Sequence, residues 1–426
     1  MAVLTLIVLP LVLLCLGVPI FAALIAAATA GIVALRIGFS IEPVHVALFG
    51  GLDNFPLLAV PLFIFAGEVM GRGGIARRLV EWVLSVIGGV RGSLALATVA
   101  SSELFGSMSG SSVGCVAAIG RLMIPELTRR GYTAVFSGSL IASCGAIATI
   151  IPPSITMIIY GVAAQESVPK LFLAGIVPGL LIGLLVSIYL LVYARIALIP
   201  LTARLRWKNI WASTIEAMWA LFAPVVILGG IYGGVFTPTE AAGVACIYAI
   251  IVARFVYREM SWRDVWLTAI DSARIIAQIL IIVSAAGAYS WVITTSGFPA
   301  KLVDAIAGLQ VQPWMLLLII NIVLLFVGTV LEPPAAILIL TPLLIPVITQ
   351  AGIDHIHFGI IFTVNLAVGM FIPPFGLNLF ATHALFGIPL GKLYRGVQPF
   401  IVIYLIALAL ITYIPAITLA PLKLWR

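Results

Sequence analysis

The stretch that decides the fold reads Phe105-Gly-Ser-Met-Ser-Gly-Ser-Ser-Val-Gly114, and it is followed by Ile124-Pro125, Gly131 and Ile151-Pro-Pro-Ser154. The same punctuation returns later in the chain as Gly328-Thr-Val-Leu-Glu-Pro-Pro334, Ile345-Pro346, Gly352 and Ile372-Pro-Pro-Phe375. Three matched pairs are each separated by 221 positions: Pro125 with Pro346, Gly131 with Gly352, and Pro152 with Pro373. A constant offset at glycine and proline positions indicates an internal repeat.

The amino-acid composition indicates that the repeat lies in a membrane. Of the 426 residues, 63% are hydrophobic and only 9% are charged, whereas soluble domains carry about 25% charged residues. Apolar stretches of the roughly 20 residues that a membrane helix needs recur along the chain. We therefore expect an all-α polytopic membrane protein. Its net charge of +7 is better explained by lysines and arginines in cytoplasmic loops than by nucleic-acid binding.

Positive charge orients the repeat. The loop after the first stretch contains Arg121, Arg129 and Arg130, whereas the equivalent loop 349–357 contains no lysine or arginine. Because basic loops remain cytoplasmic, the two copies should face opposite sides of the membrane. Arg91 and Arg121 flank one interrupted apolar stretch and both belong inside, which predicts a re-entrant hairpin rather than a full crossing.

The resulting organisation has two inverted-topology repeats, each with a re-entrant helical hairpin and a transmembrane helix broken by Pro-Pro. Two consecutive prolines remove two backbone donors and clash with the preceding turn, so the helix must unwind there. The N-terminus is placed outside. The predicted ranges are 2–195 for repeat 1, with hairpin 92–121 and broken helix 134–161; 196–219 for a cytoplasmic amphipathic connector; 220–415 for repeat 2, with hairpin 314–348 and broken helix 358–385; and 416–426 for a C-terminal tail.

The hairpin tips and the unwound stretches hold the candidate binding residues. Carbonyls freed near 149–151 and 370–372 are natural ligands for a hard cation, and half-helix N-termini at the same depth suit an anionic group. The residues that we expect to contact a substrate are Ser109, Gly110, Ser111, Ser112, Ser154, Glu332 and Asn378.

Each candidate has a competing structural explanation. Small and hydroxyl residues at the first tip also pack membrane helices together, and Asn378 could simply join two helices. Glu332 is either functional, because a carboxylate at membrane depth is costly, or a structural acid bonded to the amides of a helix N-terminus. We expect His355, His357 and His383 to form neither a metal site nor a proton relay, since the first two fall in a predicted periplasmic loop.

An enzyme is the least favoured class. A protease built on Ser109 would need a histidine or lysine base within reach, and His383, the best placed, lies in the other half. The sequence contains no Gly-x-x-x-x-Gly-Lys-Ser/Thr motif, which argues against direct ATP coupling. We therefore expect no catalytic residues and no cofactor.

These residues resemble a known family, the large membrane (permease) subunit of tripartite ATP-independent periplasmic (TRAP) transporters. The resemblance is carried by the first tip, by the two Ile-Pro-Pro segments and by Gly230-Ile-Tyr-Gly-Gly-Val-Phe-Thr-Pro-Thr-Glu-Ala-Ala242. It implies an elevator-type ion transporter of the bacterial inner membrane. Sodium would drive uptake of an organic acid that a periplasmic substrate-binding protein delivers. A separate small four-helix membrane subunit is the other implied partner.

The resemblance also implies where sodium binds, on backbone at the hairpin tips and the unwound stretches. The corresponding residues here are Ser107, Ser109, Thr149, Ile151, Gly328, Thr329, Gly369, Met370 and Ile372. No metal other than sodium is expected. The alternative function is a stand-alone sodium/anion symporter of the same architecture, which would need no binding protein. A channel would not require paired broken helices closing around one central site.

Overall fold

The computed structural model describes residues 2–35, 42–200, 206–308 and 311–424, and these residues form helices joined by short connections. Seven of the described helices are long and apolar enough to cross a membrane, or up to eight if one bent pair is counted as a single span. The all-α polytopic architecture that the composition predicts is therefore confirmed.

The described part of the first half contains ten α-helices. A π-helical turn, Leu4–Val8, precedes the first of them, and a 3-10 turn, Phe55–Leu58, precedes the fourth. The helices are α1 (Leu9–Cys15), α2 (Ile20–Leu35), α3 (Glu42–Gly50), α4 (Ala59–Arg72), α5 (Ile75–Ile87), α6 (Ser93–Ser109), α7 (Ser112–Arg129), α8 (Ala134–Ile147), α9 (Ile155–Ala163) and α10 (Val168–Ile196).

The described part of the second half contains eleven more. A π-helical turn, Val252–Val256, continues the second of them. These helices are α11 (Trp207–Tyr232), α12 (Pro238–Ile251), α13 (Trp262–Thr295), α14 (Phe298–Gly308), α15 (Pro313–Val330), α16 (Pro333–Gln350), α17 (His355–Gly369), α18 (Leu377–Phe386), α19 (Leu390–Gly396), α20 (Gln398–Tyr413) and α21 (Ala416–Leu424).

The sequence repeat is a repeat of helices. α7 and α16 begin at Ser112 and Pro333, and α8 and α17 begin at Ala134 and His355, so both pairs are separated by 221 positions. The first hairpin consists of α6 and α7, and the first broken helix of α8 and α9. The second hairpin consists of α15 and α16, and the second broken helix of α17 and α18.

The two halves interlock. α9 of the first broken helix packs against α16 of the second hairpin, and α18 of the second broken helix packs against α7 of the first hairpin. In both contacts, the second half of one repeat's broken helix packs on the second limb of the other repeat's hairpin. Such a reciprocal pair of contacts is expected for two copies related by a two-fold axis. A two-fold axis in the membrane plane would give the inverted topology that the charge pattern predicts.

The structure corrects the predicted end of the first hairpin. The hairpin does not stop at Arg121, because that side chain lies exposed on the surface of α7 and the helix continues to Arg129. The chain leaves the helix at Gly131, whose φ of +93° is a left-handed conformation that favours glycine. A charged residue within an apolar stretch therefore marked an exposed position and not a helix end.

Two further ranges are also corrected. Residues 207–219 of the predicted connector belong to a longer helix, because α11 runs without interruption from Trp207 to Tyr232 and is apolar enough to span a membrane. Residues 201–205 lie outside the described part of the chain. No glycine or proline breaks the first seventeen residues of α11, so nothing stops the helix at the predicted boundary. The C-terminal tail is helical as well, since α21 packs against α10 and buries Thr418.

The second hairpin has long limbs. α15 and α16 are predominantly apolar and contain 18 residues each, so their lengths alone would permit either helix to cross a membrane. The two helices diverge from the tip. α15 packs mainly on α17, whereas α16 packs on α13, α9 and α14. The re-entrant course of this hairpin stays a prediction from the charge pattern.

Charged side chains join the two halves in segments that the charge pattern places inside. Arg77 and Arg78 of α5 both lie 2.6 Å from the carboxylate of Glu259, between α12 and α13. Burial opposes the ionisation of this carboxyl, but hydrogen bonds from the two arginines outweigh it and hold the pKa of Glu259 below its usual value. The same hydrogen bond raises the pKa of Arg77.

Candidate ion and substrate site

The first hairpin turns within two residues. α6 ends at Ser109, Gly110 is left-handed with φ +59°, and Ser111 caps α7 by accepting a hydrogen bond from the amide of Gly114 at 3.2 Å. Glycine is required at position 110, because a Cβ there would lie 2.6 Å from the carbonyl oxygen of Pro153. The first tip therefore touches the first unwound stretch.

Ser154 closes the first unwound stretch. The Pro152–Pro153 bond between α8 and α9 is cis. The Ser154 hydroxyl donates to the carbonyl of Thr149 and accepts from the amide of Met157 at 3.3 Å. Both roles are structural, so Ser154 restarts the helix and offers no free donor to a ligand. In the described residues nothing donates to the carbonyl of Ile151, which is left available to a cation.

The second broken helix is built in the same way. Its Pro-Pro bond, between α17 and α18, is also cis. The carbonyls of Met370 and Ile372 accept hydrogen bonds from the amides of Asn378 at 2.8 Å and Gly376 at 3.0 Å. Because a carbonyl oxygen has two lone pairs, each of these predicted ligands keeps one for a cation.

Each hairpin makes backbone contact with the half helix that follows it. A Cβ on Gly106 would lie 2.7 Å from the Cα of Ala148, and a Cβ on Gly369 would lie 2.6 Å from the Cα of Gly328. Ala148 and Gly369 are separated by the repeat offset of 221 positions, and Gly106 and Gly328 by 222, so each hairpin contacts the matching position of its own broken helix. Two backbones in contact at an unwound stretch bring carbonyls together without side chains between them, as a small hard cation requires.

The hydroxyl of Ser109 stands apart from its neighbours. The hydroxyls of Ser107 and Thr329 donate to carbonyls of their own helices at 2.7 Å. Ser109 is fully buried, and its hydroxyl has no hydrogen-bond partner in the described residues. Gly67 of α4 packs directly on it, since a Cβ there would lie 2.8 Å from the Cβ of Ser109. An unsatisfied buried hydroxyl costs about 1–3 kcal/mol, so this geometry favours a bound ligand at Ser109.

Asn378 joins elements of the two repeats. Its amide nitrogen donates to the carbonyl of Ala142 at 2.8 Å, and its amide oxygen accepts from the hydroxyl of Ser112 at 2.9 Å. All three residues are buried. The arrangement supports the structural explanation for Asn378 and Ser112, which hold α18, α8 and α7 together.

Glu332 lies at the tip of the second hairpin. It occupies the N-cap position of α16, but its side chain makes no cap hydrogen bond. Pro333 and Pro334 fill the first two helical positions and have no amide hydrogen to offer. The carboxylate is therefore not held by helix amides, contrary to the structural explanation for an acid at this position.

The N-termini of three half helices meet at the first tip. Ser112 at the start of α7 bonds Asn378 at the start of α18. A Cβ on Gly110 would lie 3.4 Å from the amide nitrogen of Ile155, at the start of α9. Each helix N-terminus carries roughly +0.5 of an elementary charge. Their convergence favours an anionic group, such as a carboxylate, at this point.

The sequence did not reveal a buried polar chain in the second repeat. Asn365 of α17 donates to Asn321 of α15 at 2.7 Å, and Asn321 donates to Thr412 of α20 at 3.1 Å. His357 continues the chain, with one ring nitrogen 3.2 Å from the carbonyl of Thr412 and the other 2.8 Å from the hydroxyl of Thr418. Residues this far apart in sequence carry no local pattern from which the contact could have been predicted.

The predicted loop position of two histidines is wrong. His355 and His357 lie in the first turn of α17, where Asp354 caps the helix by accepting from the amide of His357 at 2.9 Å. An aspartate before an apolar run is an N-cap signal that could have placed this helix start. His355 lies 3.1 Å from Glu166 and 2.8 Å from the hydroxyl of Thr349, so it joins the end of the second hairpin to the loop after α9.

Comparison with known proteins identifies the family. Residues 7–417 match the family described as tripartite ATP-independent periplasmic transporter, DctM component. The chain belongs to this family. As a TRAP transporter large permease with at least seven apolar helices long enough to span, it is a multi-pass protein of the bacterial inner membrane. The resemblance stated from the sequence is confirmed.

Individual TRAP relatives agree with this assignment. The chain is 42% identical over 381 residues to the C4-dicarboxylate TRAP transporter large permease protein DctM of Pseudomonas aeruginosa, with 89% of each chain covered. It is 42% identical over 402 residues to the isethionate TRAP transporter permease protein DctMQ of Oleidesulfovibrio alaskensis, covering 94% of this chain and 63% of that longer protein. The YdaH transporter of Alcanivorax borkumensis has a similar fold, with a TM-score of 0.64, 14% identity and 87% and 88% of the two chains covered.

Proposed function

We propose that this TRAP large permease takes up an organic acid together with sodium, and that a periplasmic substrate-binding protein delivers the acid. The observation that carries the proposal is the duplicated backbone contact of Gly106 with Ala148 and of Gly328 with Gly369. Each contact lies at an unwound stretch whose carbonyls suit a cation, and the first lies beside helix N-termini that suit an anion. Cation and anion would then bind next to each other and stabilise each other.

One sodium ion for each repeat fits this arrangement. The carbonyls of Met370 and Ile372 retain a lone pair each, and that of Ile151 accepts no bond from the described residues. We assign the following residues to the two sites: Ser107, Ser109, Thr149 and Ile151 in the first repeat, and Gly328, Thr329, Gly369, Met370 and Ile372 in the second.

The acid is proposed to bind at the first tip. The unpartnered hydroxyl of Ser109 and the amides at the start of α7 are its proposed donors, while Gly110 allows close approach of the backbone. Ser112 and Asn378 hold the tip in position, as their mutual hydrogen bond indicates. The two relatives above are named for a C4-dicarboxylate and for isethionate. Both compounds are organic anions, which supports an acid as the substrate class.

The entry of sodium can supply enough free energy to accumulate the acid strongly inside the cell. Each net positive charge that enters down 100 mV provides about 2.3 kcal/mol, whereas a tenfold uphill gradient of substrate costs about 1.4 kcal/mol. One sodium ion for each repeat, moving with one monoanion, would carry one net charge inward. A current measurement that detects no net charge movement during uptake would contradict this stoichiometry.

Two partners are proposed. One is a small four-helix membrane subunit beside the present chain, since a tripartite transporter has a third component besides a large permease and a binding protein. The periplasmic binding protein is proposed from the family, whose description is that of a tripartite periplasmic transporter.

An elevator movement is the proposed transport step. The hairpins and broken helices pack on one another and on α10 and α20, which suggests one moving body. A second group, α2, α3, α4, α11, α12 and α13, would form the scaffold, and the moving body packs on it through α16 against α13 and α6 against α4. α5 lies between them, in contact with both α6 and α11. A bundle that carries the whole site and moves against a scaffold bundle fits the rigid-body alternating access of secondary transporters.

Uptake into proteoliposomes tests the proposal. The vesicles contain this chain with its small membrane subunit, and the acid is offered on the cognate binding protein with or without an inward sodium gradient. We expect uptake that requires both the gradient and the binding protein. Uptake of free acid without the binding protein would support the stand-alone sodium/anion symporter instead. A flux that is indifferent to sodium would overturn the proposed cation sites.

A further inference from the structure

A carboxyl group of the first hairpin lies in a niche that a glycine leaves open. Glu103 projects from α6 onto α10, where its carboxyl sits over Gly183. A Cβ on Gly183 would overlap this carboxyl, coming within 2.7 Å of its Cδ atom. Glycine weakens the interior of a helix, so the space that it leaves for Glu103 gives a reason for its presence in α10.

The niche supplies no polar partner. Within the ranges 2–35, 42–200, 206–308 and 311–424, no group forms a hydrogen bond or an ion pair with Glu103. The titratable groups that face it are Cys144 of α8 and Tyr404 of α20, with Cys115 of α7 beside Cys144. All three are neutral near pH 7, and the hydroxyl of Tyr404 already donates to the carbonyl of Ser143.

Neighbouring charges do not compensate for Glu103. The helices that pack on α6 are α4, α5, α7, α8, α10 and α11. The charged residues of these helices, none of which bonds to Glu103, are Glu68, Arg72, Arg77, Arg78, Glu81, Arg121, Glu126, Arg129, Lys170, Arg195, Lys208 and Glu216.

A carboxylate left without a partner at membrane depth is costly, whereas the protonated acid carries no charge. We propose that Glu103 is a proton-binding site of this transporter, occupied when α6 packs against α10. Ionisation would draw the carboxyl out of the Gly183 niche and loosen the first hairpin. Gly106, which touches Ala148, lies one turn further along the same helix, so the proton would also influence the geometry of the first tip. The inference does not rest on sodium coupling.

The direction of the pH dependence follows from this assignment. The folded state favours the protonated carboxyl of Glu103. The contribution of Glu103 to the stability of the folded protein is therefore complete in acid. It decreases as the pH rises above the range in which an unfolded glutamate ionises, because unfolding then releases a proton that the niche retained. At alkaline pH, where the folded state has also lost the proton, the contribution is gone.

Thermal unfolding of the assembled membrane complex, measured from acidic to alkaline pH, tests the inference. The variant E103Q keeps the size of the side chain but binds no proton. The matched control is E126Q, which removes an exposed acid of the same hairpin that pairs with Arg129 at 2.6 Å. G183A is the complementary variant, because its methyl group fills the niche and displaces the carboxyl.

We expect the wild-type midpoint to fall with rising pH by on the order of 2–4 °C. E126Q should follow the wild type, whereas E103Q should lose this slope and keep a higher midpoint in alkali. G183A should unfold at a lower temperature throughout and also lack the slope. Equal slopes in the wild type and E103Q would overturn the inference. If E103Q does not assemble, E103M, which is apolar and of similar length, is measured in its place and judged by the same slope.

Discussion

Gly369→Ala is the sharpest perturbation of the proposed second sodium site. The new methyl group would lie 2.6 Å from the Cα of Gly328, about 1 Å inside the roughly 3.5–4.0 Å at which two carbon atoms make contact. Because both partners are backbone, no side chain can rotate away and the hairpin tip must shift from the end of α17. Overpacking of this kind costs about 1–3 kcal/mol.

The cost should appear as weaker sodium binding. If sodium holds the tip of the second hairpin against α17, about 1–3 kcal/mol corresponds to about a 5- to 150-fold increase in the sodium concentration that half-saturates uptake. The assay is the initial rate of uptake into proteoliposomes at a saturating concentration of loaded binding protein. Gly243→Ala in α12 is the matched control, because a Cβ there meets nothing within 4 Å and alanine improves helix propensity.

Two results would refute this reasoning. A Gly369→Ala variant with the sodium dependence of the wild type would show that the backbone contact does not form part of a sodium site. A change of the same size in Gly243→Ala would show that the effect comes from helix propensity and not from the contact. Gly106→Ala tests the equivalent contact of the first repeat, where the overlap is with the Cα of Ala148 at 2.7 Å.

Three further predictions concern single contacts. A double-mutant cycle of Ser112→Ala and Asn378→Ala, measured by unfolding, should give a coupling energy of about 0.6 kcal/mol and at most about 1.7 kcal/mol, as for other hydrogen bonds in membrane proteins. A coupling energy near zero would show that this hydrogen bond does not stabilise the protein. Ser109→Ala should abolish or weaken uptake. Without ligand it should not lower thermal stability and should raise it by up to about 1–3 kcal/mol, because it removes a buried hydroxyl that has no protein partner. A stability loss without an uptake defect would contradict its role as a ligand. The lowered pKa of Glu259 predicts that its contribution to stability is present above the pKa of an unfolded glutamate and is lost as the pH falls through the lowered value. Glu259→Gln should therefore flatten the acid limb of the stability profile, and an unchanged limb would refute this.

Periodic and punctuating residues made much of the fold predictable. Glycine and proline act on the backbone locally, so their constant offset of 221 positions exposed the repeat, and the helix starts at Ser112 and Pro333 reproduce it. Helix ends were less predictable where charge was used as the marker. Arg121 is exposed on a continuing helix, and α11 begins at Trp207, inside the segment that was expected to be a connector, and continues past its predicted end.

The site was predictable to the level of segments but not of side-chain roles. The unwound stretches lie where two prolines force them, yet Ser154 and Asn378 turned out to be bonded within the protein. Such bonds join residues as far apart as Ala142 and Asn378, and no local pattern encodes them. The same limit applies to Gly67, which reaches the buried Ser109 from a helix outside the hairpin.

Equilibrium binding of radioactive sodium to the assembled complex tests the central claim most directly. We expect one bound sodium ion for each repeat. Gly369→Ala should weaken one class of sites and Gly106→Ala the other, while Gly243→Ala should leave both intact. The acid, supplied with its binding protein, should raise the affinity for sodium, since the two ligands are proposed to bind side by side. If sodium binding is not saturable, or if neither glycine substitution at a hairpin contact alters it, the proposed sodium sites are wrong.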